Sequence, residues 1–244
     1  QPLRTLVEEV YEEFQRDFRA DNFPDLFAWL ETFNAAYDSK TASFGPAAHK
    51  LMLTAHPIFQ TAIRENPAVM LVGDTNSWFD SSCSIRAQQN LAQMASGLPE
   101  INSYVAHSHR FGLVLQRIFG PDRNGFAGLQ RPDLLRSCVG INRLWIQIGP
   151  EDPLKQYGIP SFNVITRKPS PTLGESFKDY CESRTRKLIA AIKPKVLVLF
   201  GNKAQALYSN SALPDAIDLV NARHPSRGGA RQAVEALRPS VASL

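Results

Sequence analysis

The chain is poor in cysteine: its 244 residues include three, Cys83, Cys138 and Cys181, far apart and odd in number. Neither a disulfide framework nor a paired-cysteine metal knuckle can be assembled from them, so three reduced thiols are expected. No run of eighteen consecutive apolar residues exists, which excludes a membrane-spanning helix. The opening thirty residues lack the basic start and apolar stretch of a secretion signal and carry Glu8, Glu9, Glu12, Glu13 and Asp17 instead. A cytoplasmic protein with no membrane partner is therefore expected. Internal repeats and low-complexity linkers are absent as well. What is present, 43% hydrophobic and 20% charged residues, is the composition of a globular domain able to bury a sizeable core. Disordered, collagenous and coiled-coil readings fall away.

Charge is unevenly spread. Residues 1–38 hold nine acids against three bases, while the rest holds fourteen acids against twenty-four bases. An excess of positive charge in the larger part points towards a polyanionic partner without requiring one.

Thr5 followed by Glu8 reads as a capping box, and Leu6, Val7, Val10, Phe14 and Phe18 then recur at helical spacing. A second helix should follow Pro24, with Leu26, Phe27, Leu30, Phe33 and Tyr37 on one side, and a third should run from Pro46 towards Glu65. Residues 1–65 thus read as a helical segment packed on a core formed by residues 66–244, the two making one structural unit.

In that core, residues 68–73 (AVMLVG), 141–148, 195–201 (KVLVLFG) and 217–222 are short apolar runs of the kind that parallel strands buried on both faces require. Helices over residues 177–192 and 202–208 flank the third run. The alternation implies an α/β fold, a mainly parallel central sheet with helices on both faces and an N-terminal helical cover. Ligands of such sheets bind outside the carboxyl ends of the strands, where strand order reverses. Those ends carry GDTNSWFD over residues 73–80, Asn142 with Arg143, Gly201 with Asn202, and RHPSRGG over residues 223–229. Polar, ionisable and glycine residues are concentrated where the geometry expects a site.

A carboxylate such as Asp74 or Asp80 can orient a water or stabilise a developing cation, and His224 can donate a hydrogen bond to an oxygen gaining negative charge. This pairing suits hydrolysis of a glycosidic bond to a nucleobase, since the sugar becomes oxocarbenium-like while the base departs as an anion.

The strand and loop VMLVGDTN over residues 69–76, the segment GINR over residues 140–143, the strand VLVLFG over residues 196–201 and the tripeptide His224-Pro225-Ser226 resemble, in order and approximate spacing, the uracil-DNA glycosylase superfamily across residues 66–240. The resemblance implies a monofunctional DNA glycosylase, active in base excision as DNA repair or antiviral defence, that flips a pyrimidine out of DNA and leaves an abasic site. It implies that His224 contacts the base carbonyl, that Asn142 reads the polar edge of the base, and that Ser226 grips a flanking phosphate. Tyr104 stands where a ring stacks on the flipped base, with Phe111 or Phe79 as alternatives. Arg227 stands at the tip of the loop that fills the gap in the duplex, with Arg223 and Arg231 beside it as DNA-binding residues. Asp74, Thr75 and Asn76 occupy the water-handling motif, which here has no proline, and Asp80 is a second carboxylate. The unusual motif leaves the base open: uracil, or a bulky hypermodified pyrimidine of phage DNA. The iron-sulfur branch of the family needs four cysteines, so no cofactor and no metal is expected, and the partner is DNA, bound by a monomer.

Plainer roles stand beside these. Asp74 or Asn76 could cap a helix after the first strand. His107 and His109 lack further ligands at metal-site spacing. Arg184, Arg186, Lys187, Lys193 and Lys195 could be a solvated helix face. Trp29, Trp78 and Trp145 read as packing residues. Residues 73–77 with His224 are also similar to the Gly-Asp-Ser esterases, with Thr75 in place of the nucleophilic serine and Asp218 as the third triad member. A non-catalytic nucleic-acid sensor of the same fold is the other alternative.

Overall fold

The computed structural model describes residues 1–41, 61–74, 76–77, 110–120, 128–148, 158–209, 211–225 and 229–244. Four parallel strands, β1 (Val69–Gly73), β3 (Val139–Asn142), β5 (Val196–Phe200) and β6 (Asp218–Ala222), form one sheet in the order β3-β1-β5-β6. Gly73 lies opposite Asn142, Val72 opposite Leu199, and Phe200 opposite Ala222. Chain order reverses at β1: the connection to β3 leaves on one side, and β5 and β6 follow on the other. The crevice between the ends of β1 and β5 is thus the topological switch point.

Every residue of β1, β3 and β5 is buried, which is why these strands read as unbroken apolar runs. Their side chains alternate between two cores. Met70, Val72, Val139, Ile141, Leu197 and Leu199 face a core that includes α1 (Leu3–Asp17), α2 (Pro24–Thr41) and α6 (Phe177–Ile192). Val69, Leu71, Val196, Val198, Phe200 and Ala222 face a second core with α3 (Arg110–Phe119) and α8 (Ala230–Val241). Shorter helices α4 (Pro132–Ser137), α5 (Phe162–Ile165) and α7 (Gly201–Gln205) complete the described helices of α type. The expected α/β architecture, a parallel sheet with helices on both faces, is thus present.

Helix α6 spans the expected residues because both ends are encoded locally. Ser176 accepts a hydrogen bond from the Asp179 amide at its start, and Lys193 adopts the left-handed conformation at its end. Acidic α1 docks on it through Phe14, which packs against the Phe177 and Tyr180 rings, and through one ion pair: Arg184 of α6 pairs with Glu13 of α1, as well as with Glu175, and lies 3.4 Å over the Tyr180 ring. Part of the basic stretch on α6 is therefore neutralised within the molecule. Tyr180 also donates to the buried Asp17 carboxylate at 3.1 Å.

Three local expectations are corrected. Helix α1 begins at Leu3, after Pro2 and without a side-chain cap, so Thr5 lies inside its first turn and makes no capping box. The third helix does not reach Glu65, since residues 61–65 are irregular; residues 42–60 lie outside the described ones. Residues 141–148 are not one strand: β3 stops at Asn142, and β4 (Gln147–Ile148) starts a separate two-stranded sheet with β2 (Asn76–Ser77). The turn at Arg143 and Leu144 is tied to β1, the Arg143 amide donating to the Gly73 carbonyl and the Leu144 amide to that of Asp74. Among the described residues, no helix is long and apolar enough to cross a membrane.

Candidate active site

Alternation along the strands sorts the residues at the carboxyl ends onto two sides. Gly73 continues the face of Val69 and Leu71, Asn142 that of Cys138, and Phe200 that of Val196 and Val198, so all three lie on the α3 side. That side is a tight cluster. A Cβ added to Gly73 would stand 2.6 Å from Asn142 Oδ1 and 2.8 Å from Phe111 Cε2, so glycine is required for the amide and the ring to converge there. Phe111, in the first turn of α3, stacks on Phe200 with centroids 4.5 Å apart and meets the His224 imidazole edge-on at 5.5 Å. Both Phe111 and Asn142 are buried, and His224 is partly buried.

Two glycines set the path of the His224 segment. Gly201 has φ +81°, which opens α7 directly after β5, and a Cβ there would lie 3.3 Å from His224 Cβ. Gly229 closes on the His224 carbonyl so tightly that no side chain fits between them. Gln205 of α7 donates to the Ala222 carbonyl at 3.1 Å, holding the end of β6 against α7.

On the other side of the strand ends, towards α6, stands an ionic chain. Arg143 is 3% exposed and its guanidinium reaches two carboxylates: Nε and Nη2 donate to Asp74 Oδ1 at 3.1 and 2.6 Å, and Nη1 donates to Glu182 on α6. Burial alone would favour loss of the Arg143 charge, but the two anions more than offset it and hold its pKa above the usual value. Lys203 of α7 pairs with Asp74 Oδ2 at 3.1 Å, and Lys178 pairs with Glu182 at 2.8 Å. Asp74 thus bridges the switch point, from Arg143 after β3 to Lys203 after β5.

The sequence-predicted residues divide accordingly. His224, Phe111 and Asn142 come together around Gly73. Asp74 sits at the adjoining strand end with its carboxylate ion-paired; the next described element is the strand β2, which Asn76 begins, so a salt bridge stands where a helix cap was expected. Arg223 is exposed beside His224, and Arg231 forms an exposed pair with Glu235 at 2.8 Å. Thr75, Asp80, Tyr104, Ser226 and Arg227, with Phe79, Trp78, His107 and His109, lie outside the described residues. Trp29 and Trp145 are buried as expected of packing residues. Cys138 and Cys181 are buried free thiols; burial pushes the Cys181 thiol up to about 12 and that of Cys138 higher still.

Asp218 and His224 do not make the contact an esterase triad needs: Asp218 opens β6 and His224 follows its far end, so the strand alone separates them by roughly 13 Å. Sequence reasoning assigned no role to Arg143, Glu182, Lys203 or Gly229. The available signal for Arg143 was its place inside an apolar stretch, where a cation needs a buried counter-ion.

No protein-family model matches the chain, and no curated protein matches it.

Proposed function

We propose that the chain is a monofunctional DNA glycosylase of uracil-DNA glycosylase-like fold, which extrudes a pyrimidine from DNA and hydrolyses its N-glycosidic bond. The observation that carries this reading is the convergence of an aromatic ring, an amide and an imidazole, Phe111, Asn142 and His224, at the carboxyl ends of β1, β3 and β6. An aromatic edge or face supplies stacking for a flipped base, and the Asn142 amide supplies donor and acceptor for its polar edge. As the bond from the sugar carbon to the base nitrogen breaks, the electron pair leaves with the base, and His224 donates a hydrogen bond to the carbonyl on which the charge accumulates. The Asp74 carboxylate favours the cationic sugar and holds the water whose oxygen bonds to that carbon. The base takes up a proton, and an abasic site remains. Arg223, Arg227 and Arg231 neutralise phosphates, so binding weakens steeply with salt.

Incubation with single- and double-stranded DNA carrying uracil, hydroxymethylpyrimidines or glucosylated pyrimidines, followed by alkali, tests this directly: strand scission marks the excised base. His224→Ala and Asp74→Asn should lower excision by orders of magnitude with DNA binding kept, and Arg227→Ala should chiefly weaken duplex binding. One observation favours a second reading, a non-catalytic nucleic-acid sensor: both oxygens of Asp74 are engaged by cations. Salt-sensitive DNA retention with no scission on any substrate would select it.

A further inference from the structure

The geometry points to Arg143, anchored by Glu182, as the positioning residue that fixes the Asp74 carboxylate by its Oδ1 and leaves Oδ2 to accept from the attacking water. The inference rests on the glycosylase reading and adds two residues to it. An ionised carboxylate offers about four acceptor positions. Arg143 occupies two of them, both on Oδ1, and the Lys203 ammonium lies 3.1 Å from Oδ2 as an ion pair. A water bound to Asp74 therefore donates to Oδ2, beside the half-exposed Lys203 ammonium.

The Arg143 fork can impose this only if it cannot turn. Glu182 provides the anchor: it is 4% exposed, comes from a different element, and takes Nη1 while the opposite edge of the guanidinium holds Asp74. Lys178 pairs with Glu182 Oε2, and Arg186 lies 4.0 Å from the same oxygen, so Glu182 is itself fixed at the other end. The chain of contacts runs from α6 through β3 to the end of β1. A planar fork suits this task and an ammonium does not, because only the fork presents two parallel donors to one partner and a third to another.

A double-mutant cycle in single-turnover excision separates positioning from scaffolding. Arg143→Lys should slow the chemical step by about ten-fold or more, with DNA affinity held within about two-fold, the pattern of an interaction made in the transition state. On an Asp74→Asn background the same substitution should change the rate by less than about two-fold, since Arg143 acts through that carboxylate. An equal fractional loss on both backgrounds overturns the proposal. Should Asp74→Asn leave no measurable rate, Glu182→Gln decides, measured well below the thermal midpoint of the variant: a slower chemical step with DNA affinity kept supports the anchor, and an unchanged rate overturns it. Wild-type protein that excises no base from the panel removes the glycosylase reading and this inference together, whereas an active wild type with an additive cycle removes this inference alone.

Discussion

Two clusters share the ends of β1, β3 and β5 yet are built on opposite principles. On the α3 side, Gly73, Phe111, Asn142, Phe200 and His224 meet by shape, with a missing Cβ making room for a ring and an amide. On the α6 side, Asp74, Arg143, Glu182 and Lys203 meet by charge, with a guanidinium almost wholly removed from water. The alternation that assigns apolar residues to the two cores continues past the strand ends and assigns chemistry there. In the proposed reading, what faces α3 serves the base, and what faces α6 holds the Asp74 carboxylate. The two sides should fail in different ways when cut.

The largest effect is expected on the ionic side. Arg143→Leu removes the buried cation that Asp74 and Glu182 share, leaving Glu182 to the part-exposed Lys178, and breaking a buried pair from one end costs up to about 3–5 kcal/mol. Urea unfolding should register this as a lower midpoint at unchanged slope. Combining it with Glu182→Leu should recover much of the loss, because the uncompensated charge is gone. If the double variant is as unstable as the sum of the singles, the network is not the coupled unit described.

His224→Ala comes next and breaks the other side. Losing a donor aimed at developing charge lowers the chemical step by roughly 10²–10³-fold, equivalent to about 3–4 kcal/mol of barrier. Stability should barely change, since the imidazole is only partly buried. Single-turnover excision and a denaturation curve measured together would sharpen the contrast: cutting the ionic cluster costs stability as well as rate, and cutting the imidazole costs rate alone. A stability loss as large as that of Arg143→Leu would erase the distinction.

Gly73→Ala tests the shape-built side by overfilling it. The new methyl would stand 2.6 Å from Asn142 Oδ1 and 2.8 Å from Phe111, so amide or ring must move. Overpacking of this kind costs about 1–3 kcal/mol. Excision should fall further than DNA affinity, because the residues displaced are those assigned to the base and not to the phosphates. Equal losses in the two measurements would argue that Phe111 and Asn142 serve packing alone.

Much of the fold was legible because β1 and β5 are buried on both faces and match their apolar runs. β6 matches its run although several of its residues are exposed, and α6 matches its periodicity between Ser176 and Lys193. The break after Asn142 was not legible, since Leu144, Trp145 and Ile146 continue the apolar pattern and only backbone bonds to Gly73 and Asp74 end the strand. Asn142 and His224 could be placed together because both stand at strand ends on the same side of the sheet. The pairing of Arg143 could not. Its partners Asp74 and Glu182 lie 69 and 39 residues away in sequence, and local pattern carries no information on which distant carboxylate meets a given cation.

Lys203→Ala carries the smallest expected effect and asks where the ionic cluster ends. The Lys203 side chain is 47% exposed, so its pair with Asp74 contributes no more than about 1 kcal/mol, against several for the buried Arg143. Stability should move little, and raising the salt concentration should make even that difference vanish. The rate of excision is the sharper measure. The Lys203 ammonium lies 3.1 Å from Oδ2, and its removal widens the choice of positions for a water bound there. A modest slowing of the chemical step, about two- to five-fold and insensitive to DNA concentration, follows if a single water position matters. A faster step would instead mean that Lys203 competes with the water, which would assign the positioning of Asp74 to Arg143 alone.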